Sequence, residues 1–118
     1  MSHKLENYLR TYRKRSGLSQ DEVAFLLDCK NGTKVSRYER LSRKPNLETL
    51  FAYEVVFGAP ARKLFAGAYQ KVEKRISHRA QFLTRKLNRA TPNSMATRKL
   101  QTLKAITSGS GIGPDKNS

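Results

Sequence analysis

Apolar residues recur at helical spacing through the first 65 residues, and residues that typically begin or end helices separate them into short segments. The first predicted helix covers residues 4–15 and ends at Ser16-Gly17. Ser19 and Glu22 form the pattern of a capping box, which places the start of a second helix there. The predicted inward residues of these two helices are Leu5, Tyr8, Leu9, Tyr12, Val23, Ala24, Leu26 and Leu27.

The segment 28–33 has turn chemistry, because Asn31-Gly32 is a dipeptide typical of turns. Asn31 or Thr33 is expected to cap a third helix that runs to about Arg40. Val35 and Tyr38 are its predicted inward residues, and the rest of this helix is basic or polar. A helix with so few apolar residues is a poor core element, which suggests that its outer face has another role.

A basic loop over residues 41–45 separates the third helix from two apolar helices. Asn46 is the predicted N-cap of the fourth helix and Gly58 its stop. Pro60 is predicted at the first position of a fifth helix, where its missing N–H costs nothing. The predicted core residues of these two helices are Leu47, Leu50, Phe51, Val55, Phe57, Leu64 and Phe65.

The pattern changes beyond Gly67. A long apolar stripe, surrounded by Lys, Arg, Gln and Asn, predicts a helix over residues 69–88. Thr91-Pro92-Asn93-Ser94 breaks it, and residues 95–107 carry a weaker stripe. From Thr107 the chain is rich in Gly and Ser and is expected to be disordered. The predicted organisation is a domain at 1–68, a basic helical extension at 69–107 and a disordered tail at 108–118.

The charge is large and uneven. The chain has 24 Lys and Arg against 9 Asp and Glu, a net charge of +15. Residues 69–118 hold 11 of these cations and 2 of the carboxylates, so +9 of the charge lies there. Such an excess favours a polyanionic partner, nucleic acid first and an anionic membrane surface next.

Cys29 is the only cysteine, so no intramolecular disulfide can form, and no apolar run has the length of a membrane span. A cytoplasmic location without a membrane partner is the expectation.

These residues resemble the phage-repressor helix-turn-helix family, of the Cro/xenobiotic-response-element (XRE) type. The matching stretches within residues 5–66 are Leu9 to Ala24, Val35 to Arg40, Pro45 to Leu50, and Leu64-Phe65. The resemblance implies an all-α fold, a five-helix lambda-repressor-like domain, to which this chain adds a basic helical C-terminal extension. The departures from the family pattern are Asp28 and Leu41 in place of glycines, and Glu54 in place of a small residue.

The resemblance also implies a DNA-binding site, because the third helix of this family enters the major groove. Arg37 would face the bases, where its fork suits guanine, and Gln20 would contact phosphate and brace the third helix. Arg13 and Glu39 would form a structural ion pair between helices one and three. Gly32 would let the backbone come close to DNA. The implied DNA-binding set is Gln20, Asn31, Gly32, Thr33, Lys34, Ser36, Arg37, Arg40, Arg43 and Lys44.

The favoured function is a sequence-specific transcription regulator, a repressor that binds double-stranded DNA as a homodimer. An alternative is an antitoxin-like protein that neutralises a partner toxin and regulates its own operon. A third is a general nucleic-acid binder that acts by charge alone.

The 69–88 stripe is expected to pack on the domain or a second subunit, ahead of added DNA contacts or a membrane. The sequence has no nucleophile–base pair, phosphate-cradling glycine loop or metal-ligand cluster, so no enzyme activity, cofactor or metal is expected.

Overall fold

The computed structural model describes residues 6–109, and within that range it is entirely α-helical, without a strand. The all-α class predicted from the sequence is therefore confirmed. The described residues divide into two compact units, with the boundary between Tyr69 and Gln70. The helices are α1 (Leu9–Ser16), α2 (Gln20–Leu26), α3 (Gly32–Glu39), α4 (Leu47–Phe57), α5 (Ala61–Leu64), α6 (Ala66–Asn88) and α7 (Ser94–Gly109).

Side-chain caps begin α2, α3 and α4 where the sequence predicts them. Ser19 Oγ accepts a hydrogen bond from the Glu22 backbone N–H, and the Glu22 carboxylate accepts from the Ser19 N–H, so the capping box is complete. Asn31 and Asn46 cap α3 and α4. These side chains satisfy backbone donors that would otherwise lack partners at a helix N-terminus.

Four predicted boundaries are wrong within the described residues. α6 begins at Ala66, three residues before the predicted start at 69. α1 begins at Leu9, and residues 6–8 are not helical; residues 4 and 5 lie outside the described range. Pro60 precedes α5 as its N-cap. α7 continues to Gly109, so residues 107–109 of the expected disordered region are helical, whereas residues 110–118 lie outside the described range.

Asn7 explains the late start of α1. Its Oδ1 accepts from the Leu9 N–H at 3.1 Å, and its Nδ2 donates to the Tyr38 carbonyl at 3.1 Å. The Tyr8 N–H donates to the Leu64 carbonyl at 2.6 Å. Residues 7 and 8 are thus held by tertiary hydrogen bonds to α3 and α5. These bonds compete with helical ones, and local sequence signals do not show them.

The core of the first unit is built around Tyr53 of α4, which is 1% exposed. Its ring meets those of Tyr38 and Phe65 edge-on, with centroids 6.0 and 6.4 Å away, and stacks on Phe57 at 5.9 Å. Aromatic pairs in such arrangements contribute about 0.5–1.5 kcal/mol beyond area burial. The other buried residues of this core are Leu9, Val23, Ala24, Val35, Ala59 and Leu64.

The predicted inward face of α4 is right at Leu50 and Phe57, which pack against the core, and wrong at three other positions. Leu47, Phe51 and Val55 are 64%, 53% and 81% exposed, and Tyr53, absent from the predicted core, takes the central place. Eight of the eleven α4 residues are apolar or aromatic, so apolar periodicity alone does not select a face. Leu26, predicted inside α2, is also exposed.

The second unit has a small core. Among its described residues only Ala80 of α6 and Leu103 of α7 are buried. The predicted stripe of α6 forms within a helix, but Val72, Ile76 and Leu83 remain exposed over 41–44% of their surface. This pair of helices therefore leaves much of its apolar surface in contact with solvent.

Asp28 and Leu41 have left-handed backbone conformations, with φ of 63° and 59°. Each follows the last turn of a helix, α2 or α3, where a left-handed residue lets later N–H groups reach the open carbonyls. The Cys29 N–H, for example, donates to the Ala24 carbonyl at 2.8 Å. Asp28 and Leu41 thus adopt a turn conformation that is typical of glycine and strained for other residues.

We expect Asp28→Gly to be more stable than Asp28→Ala by about 1 kcal/mol, because only glycine adopts this φ without a Cβ penalty. Asp28 is exposed, so neither variant loses packing. Urea unfolding followed by circular dichroism measures the difference. Equal stability of the two variants would contradict the strain argument.

Tyr53→Phe tests the hydroxyl at the centre of the core, which is buried and makes no hydrogen bond among the described residues. Because an unsatisfied buried hydroxyl is costly, we expect the variant to be as stable as the parent or up to about 1 kcal/mol more stable. Burial raises the pKa of Tyr53 above its ordinary value. The parent should therefore lose stability relative to Tyr53→Phe above about pH 10, as the unfolded tyrosine ionises. A clear loss of stability in Tyr53→Phe at neutral pH would mean that the hydroxyl has a partner.

Candidate nucleic-acid interface

Glu39, the last residue of α3, joins three helices. Its carboxylate accepts from Arg13 of α1 twice, from Nε at 2.6 Å and from Nη2 at 3.2 Å, and from Gln20 Nε2 of α2 at 3.1 Å. Arg13 Nη1 also donates to the Leu18 carbonyl at 3.2 Å. This paired geometry is the strong form of an arginine–carboxylate contact, and it fixes the orientation of α3 against both neighbours.

The Arg13–Glu39 pair is largely removed from solvent, with 11% and 5% of the two side chains exposed. The hydrogen bond from Arg13 to Glu39 raises the pKa of the guanidinium above its ordinary value, although desolvation opposes the shift. Arginine is not deprotonated in proteins, so the Arg13 guanidinium stays charged beside Glu39. Gln20, predicted to brace α3, makes its bond to the same carboxylate.

The N-terminus of α3 is docked on α2 through Gly32. Its backbone N–H donates to Asp21 Oδ1 at 2.8 Å. A Cβ at this position would lie 2.8 Å from that oxygen, 2.9 Å from Gln20 Cβ and 3.1 Å from the Gln20 carbonyl carbon. The glycine is thus buried between helices, and close packing on α2 requires it there; its close approach to DNA stays a prediction.

The outer face of α3 is polar and basic. Val35 and Tyr38 point into the core, and with 3.6 residues per turn the opposite side of the helix carries Thr33, Ser36, Arg37 and Arg40. Lys34 is exposed at the edge of that face. Arg43 and Lys44 are exposed in the loop that follows.

The cations on and after α3 have no partners within residues 6–109. The side chains of Lys34, Arg37, Arg40, Arg43 and Lys44 make no hydrogen bond or ion pair there, in contrast to that of Arg13. Their charge is therefore available to an external anion. Phosphate groups and guanine edges are the nucleic-acid groups that Lys and Arg recognise.

Two neighbouring surface depressions bring most of the predicted site together. Both are lined by Gln20, Ser36 and Arg40, and one of them also by Asn31, Gly32 and Thr33. Lys34, Arg37, Arg43 and Lys44 do not line them; they lie exposed elsewhere on α3 and its loop.

Sequence reasoning missed two residues of this surface. Asp21 positions the start of α3, and Arg10 of α1 is an exposed cation that lines a depression with Gln20 and Arg40. For Asp21 the sequence offers only an acidic residue in a first helical turn, which ordinarily indicates a favourable dipole contact. For Arg10 the signal is its place one turn before Arg13 on a helix beside the site.

Two further properties hold for the described part of the chain. No group of three or more His, Cys, Asp and Glu residues that could hold a metal ion is present there. No helix in residues 6–109 is long and apolar enough to cross a membrane.

A short α2, a tight turn and an α3 that is held on its inner side and basic on its outer side define a helix-turn-helix DNA-binding domain. Residues 9–64 match the family model described as Helix-turn-helix. Residues 9–64 therefore form a helix-turn-helix domain of the Cro/XRE type, which supports a DNA-binding transcription regulator in general. No curated protein and no solved structure matches it significantly.

Removing one partner of the α1–α3 ion pair should strand a buried charge. We expect Arg13→Met and Glu39→Gln each to lower the free energy of unfolding by about 3 kcal/mol. The double variant should lose clearly less than the sum, because it leaves no unpaired charge. Urea unfolding measures all three, with Lys14→Met, an exposed neighbour on α1, as the control. Additive losses would show that the two side chains act independently.

Gly32→Ala should disturb the junction of α2 and α3, because the Gln20 backbone cannot move away as a flexible side chain can. We expect a loss of about 1–3 kcal/mol in unfolding free energy. DNA affinity, measured at a temperature at which the variant is folded, should fall as well. Lys30→Ala, at an exposed position in the same turn, serves as the control. A fully stable Gly32→Ala would mean that the junction is looser than described.

Proposed function

We propose that the protein is a sequence-specific repressor that acts in the cytoplasm and binds operator DNA as a homodimer, with α3 in the major groove. The observation that carries this proposal is the exposed face of α3. It is fixed in direction by Glu39 at one end and Asp21 at the other, and it presents cations without partners. A fixed, polar helix face is suited to reading base edges, which requires defined hydrogen-bond geometry.

Arg37 is the residue we assign to base recognition. It lies near the middle of the exposed face, and its planar fork can donate to both O6 and N7 of guanine. Thr33 and Lys34, in the first turn of α3, would lie at the mouth of the groove. Asn31 contributes by capping this turn.

Phosphate contacts fall to the residues around this centre. Ser36 and Arg40 share their depressions with Gln20, and Arg10 lines one of them, so a phosphate there meets donors from α1, α2 and α3. Arg43 and Lys44 in the following loop would hold the next stretch of backbone. Such contacts set register and supply affinity without reading sequence.

The homodimer is proposed because one small domain buries limited surface on DNA, and two copies on an inverted repeat multiply affinity and specificity. An antitoxin role is less favoured. The basic second half of the chain suits a basic toxin poorly, because like charges would meet at the interface.

We expect Arg37→Ala to remove discrimination at one base pair in each half-site, at a cost of about 1–3 kcal/mol, and to leave binding to random DNA largely unchanged. Fluorescence anisotropy with specific and single-substituted duplexes measures this. The operator comes from capturing fragmented host DNA with the purified protein at physiological salt and sequencing what is retained.

Arg43→Ala is the matched comparison, since it should weaken specific and random binding alike and reduce the salt slope by about 0.9. Lys63→Ala, an exposed cation outside the site, controls for net charge. Equal losses on specific and random DNA for Arg37→Ala would refute its role in base recognition. Captured DNA without a shared inverted repeat would refute the proposed dimeric, sequence-specific repressor.

A further inference from the structure

The second unit contains an open groove of about 570 Å³ between α6 and α7. Its floor and walls are apolar, and two cations, Arg79 and Lys86, stand at its sides. Neither of these two side chains makes a hydrogen bond or an ion pair with any described residue. The apolar residues of the groove are Ile76, Ala80, Phe82, Leu83, Leu103 and Ile106.

The two helices leave this groove unfilled. Only Ala80 and Leu103 are buried in the described part of the unit, and Ile76, Phe82 and Leu83 expose between 43% and 63% of their surface. Exposed apolar surface in a contiguous, cation-flanked groove is characteristic of an interaction site. A groove between two helices has the shape that receives a third, amphipathic helix.

The charge of the unit selects the occupant. Residues 70–109 carry ten Lys and Arg, and Glu73 is their one carboxylate. A second copy of this unit would bring two strongly positive surfaces together, which is costly. The tail at 110–118 has one large apolar residue, Ile112, too few to fill the groove.

Nucleic acid and membrane fit the groove less well. DNA would use the cations but leave the apolar walls without a function. A flat bilayer suits a convex apolar stripe, whereas these apolar residues line a concave surface between two helices.

We propose that the α6–α7 groove is a docking site for an acidic amphipathic helix of a partner protein. The large aliphatic side chains of that helix fill the groove, and its carboxylates pair with Arg79 and Lys86. The regulator would then carry a protein-binding unit in addition to its DNA-binding domain.

The test uses the full-length protein and a fluorescein-labelled peptide of Leu, Ala and Glu, about 18 residues or five helical turns long, with the leucines on one face. Two comparison peptides are a scrambled version with the same composition and a version with Lys in place of Glu. Fluorescence anisotropy measures affinity. Methyl NMR shows whether Ile76, Leu83, Leu103 and Ile106 shift on binding.

We expect the amphipathic acidic peptide to bind with a Kd on the order of 10 µM, at least 10-fold tighter than the scrambled peptide, and to shift those methyl groups. The Lys peptide should not bind. Arg79→Glu with Lys86→Glu should weaken binding at least 10-fold. The control, Arg89→Glu with Arg98→Glu, makes the same change in net charge away from the groove and should weaken binding much less.

Ile76→Ser with Leu83→Ser tests the apolar floor, provided circular dichroism shows that the helices persist. If the helices of this double serine variant do not persist, the two charge-reversal pairs still test the proposal. Equal binding of the scrambled peptide, or equal losses in both charge-reversal pairs, would show attraction by charge alone and overturn the proposal. Self-association that depends on the groove residues, measured by sedimentation, would also overturn the proposal. The same holds if the groove binds phosphatidylglycerol vesicles or random DNA more tightly than it binds the peptide.

Discussion

The carboxylate of Glu39 is where α1, α2 and α3 are joined, and the direction of the exposed α3 face depends on it. Arg13 and Gln20 reach it from two different helices, and their contacts lie at the C-terminal end of α3. Asp21 holds the opposite end through the Gly32 N–H. Because both ends of a short helix are held by polar contacts, its outer side needs no apolar residues for anchoring. That side is free to carry Thr33, Arg37 and the other polar groups of the DNA-binding surface.

The sequence predicted those starts and ends of helices that depend only on neighbouring residues. Ser19, Asn31 and Asn46 cap helices because their side chains bond backbone N–H groups two or three residues ahead, and such bonds need no distant partner. Gly17 and Gly58 end helices for an equally local reason, since both take positive φ. The class of fold and its helix-turn-helix element followed from these signals together with the motif residues.

The Arg13–Glu39 contact was expected only from the family resemblance, and sequence reasoning did not find the other contacts between distant residues. α4 is apolar on most sides, so its inward face was decided by the ring contacts of Tyr53 with α3 and the α5 region. The late start of α1 depends on Asn7 reaching Tyr38, 31 residues away. The role of Gly32 depends on its distance to α2. The DNA contacts themselves remain a prediction, supported by the free cations of α3.

The shortness of α3 limits how much sequence one copy of the domain can recognise. Eight residues at 1.5 Å each give a helix about 12 Å long, which covers roughly three to four base pairs at 3.4 Å each. A four-base-pair word occurs about once in 256 positions, and a genome offers about 10⁶ or more competing sites. A single recognition helix therefore holds too little information to mark one operator. Two copies at a fixed spacing must both find their words, so the expected frequency of a matching site is the square of that for one copy. Any further selectivity must come from DNA shape or from a partner protein.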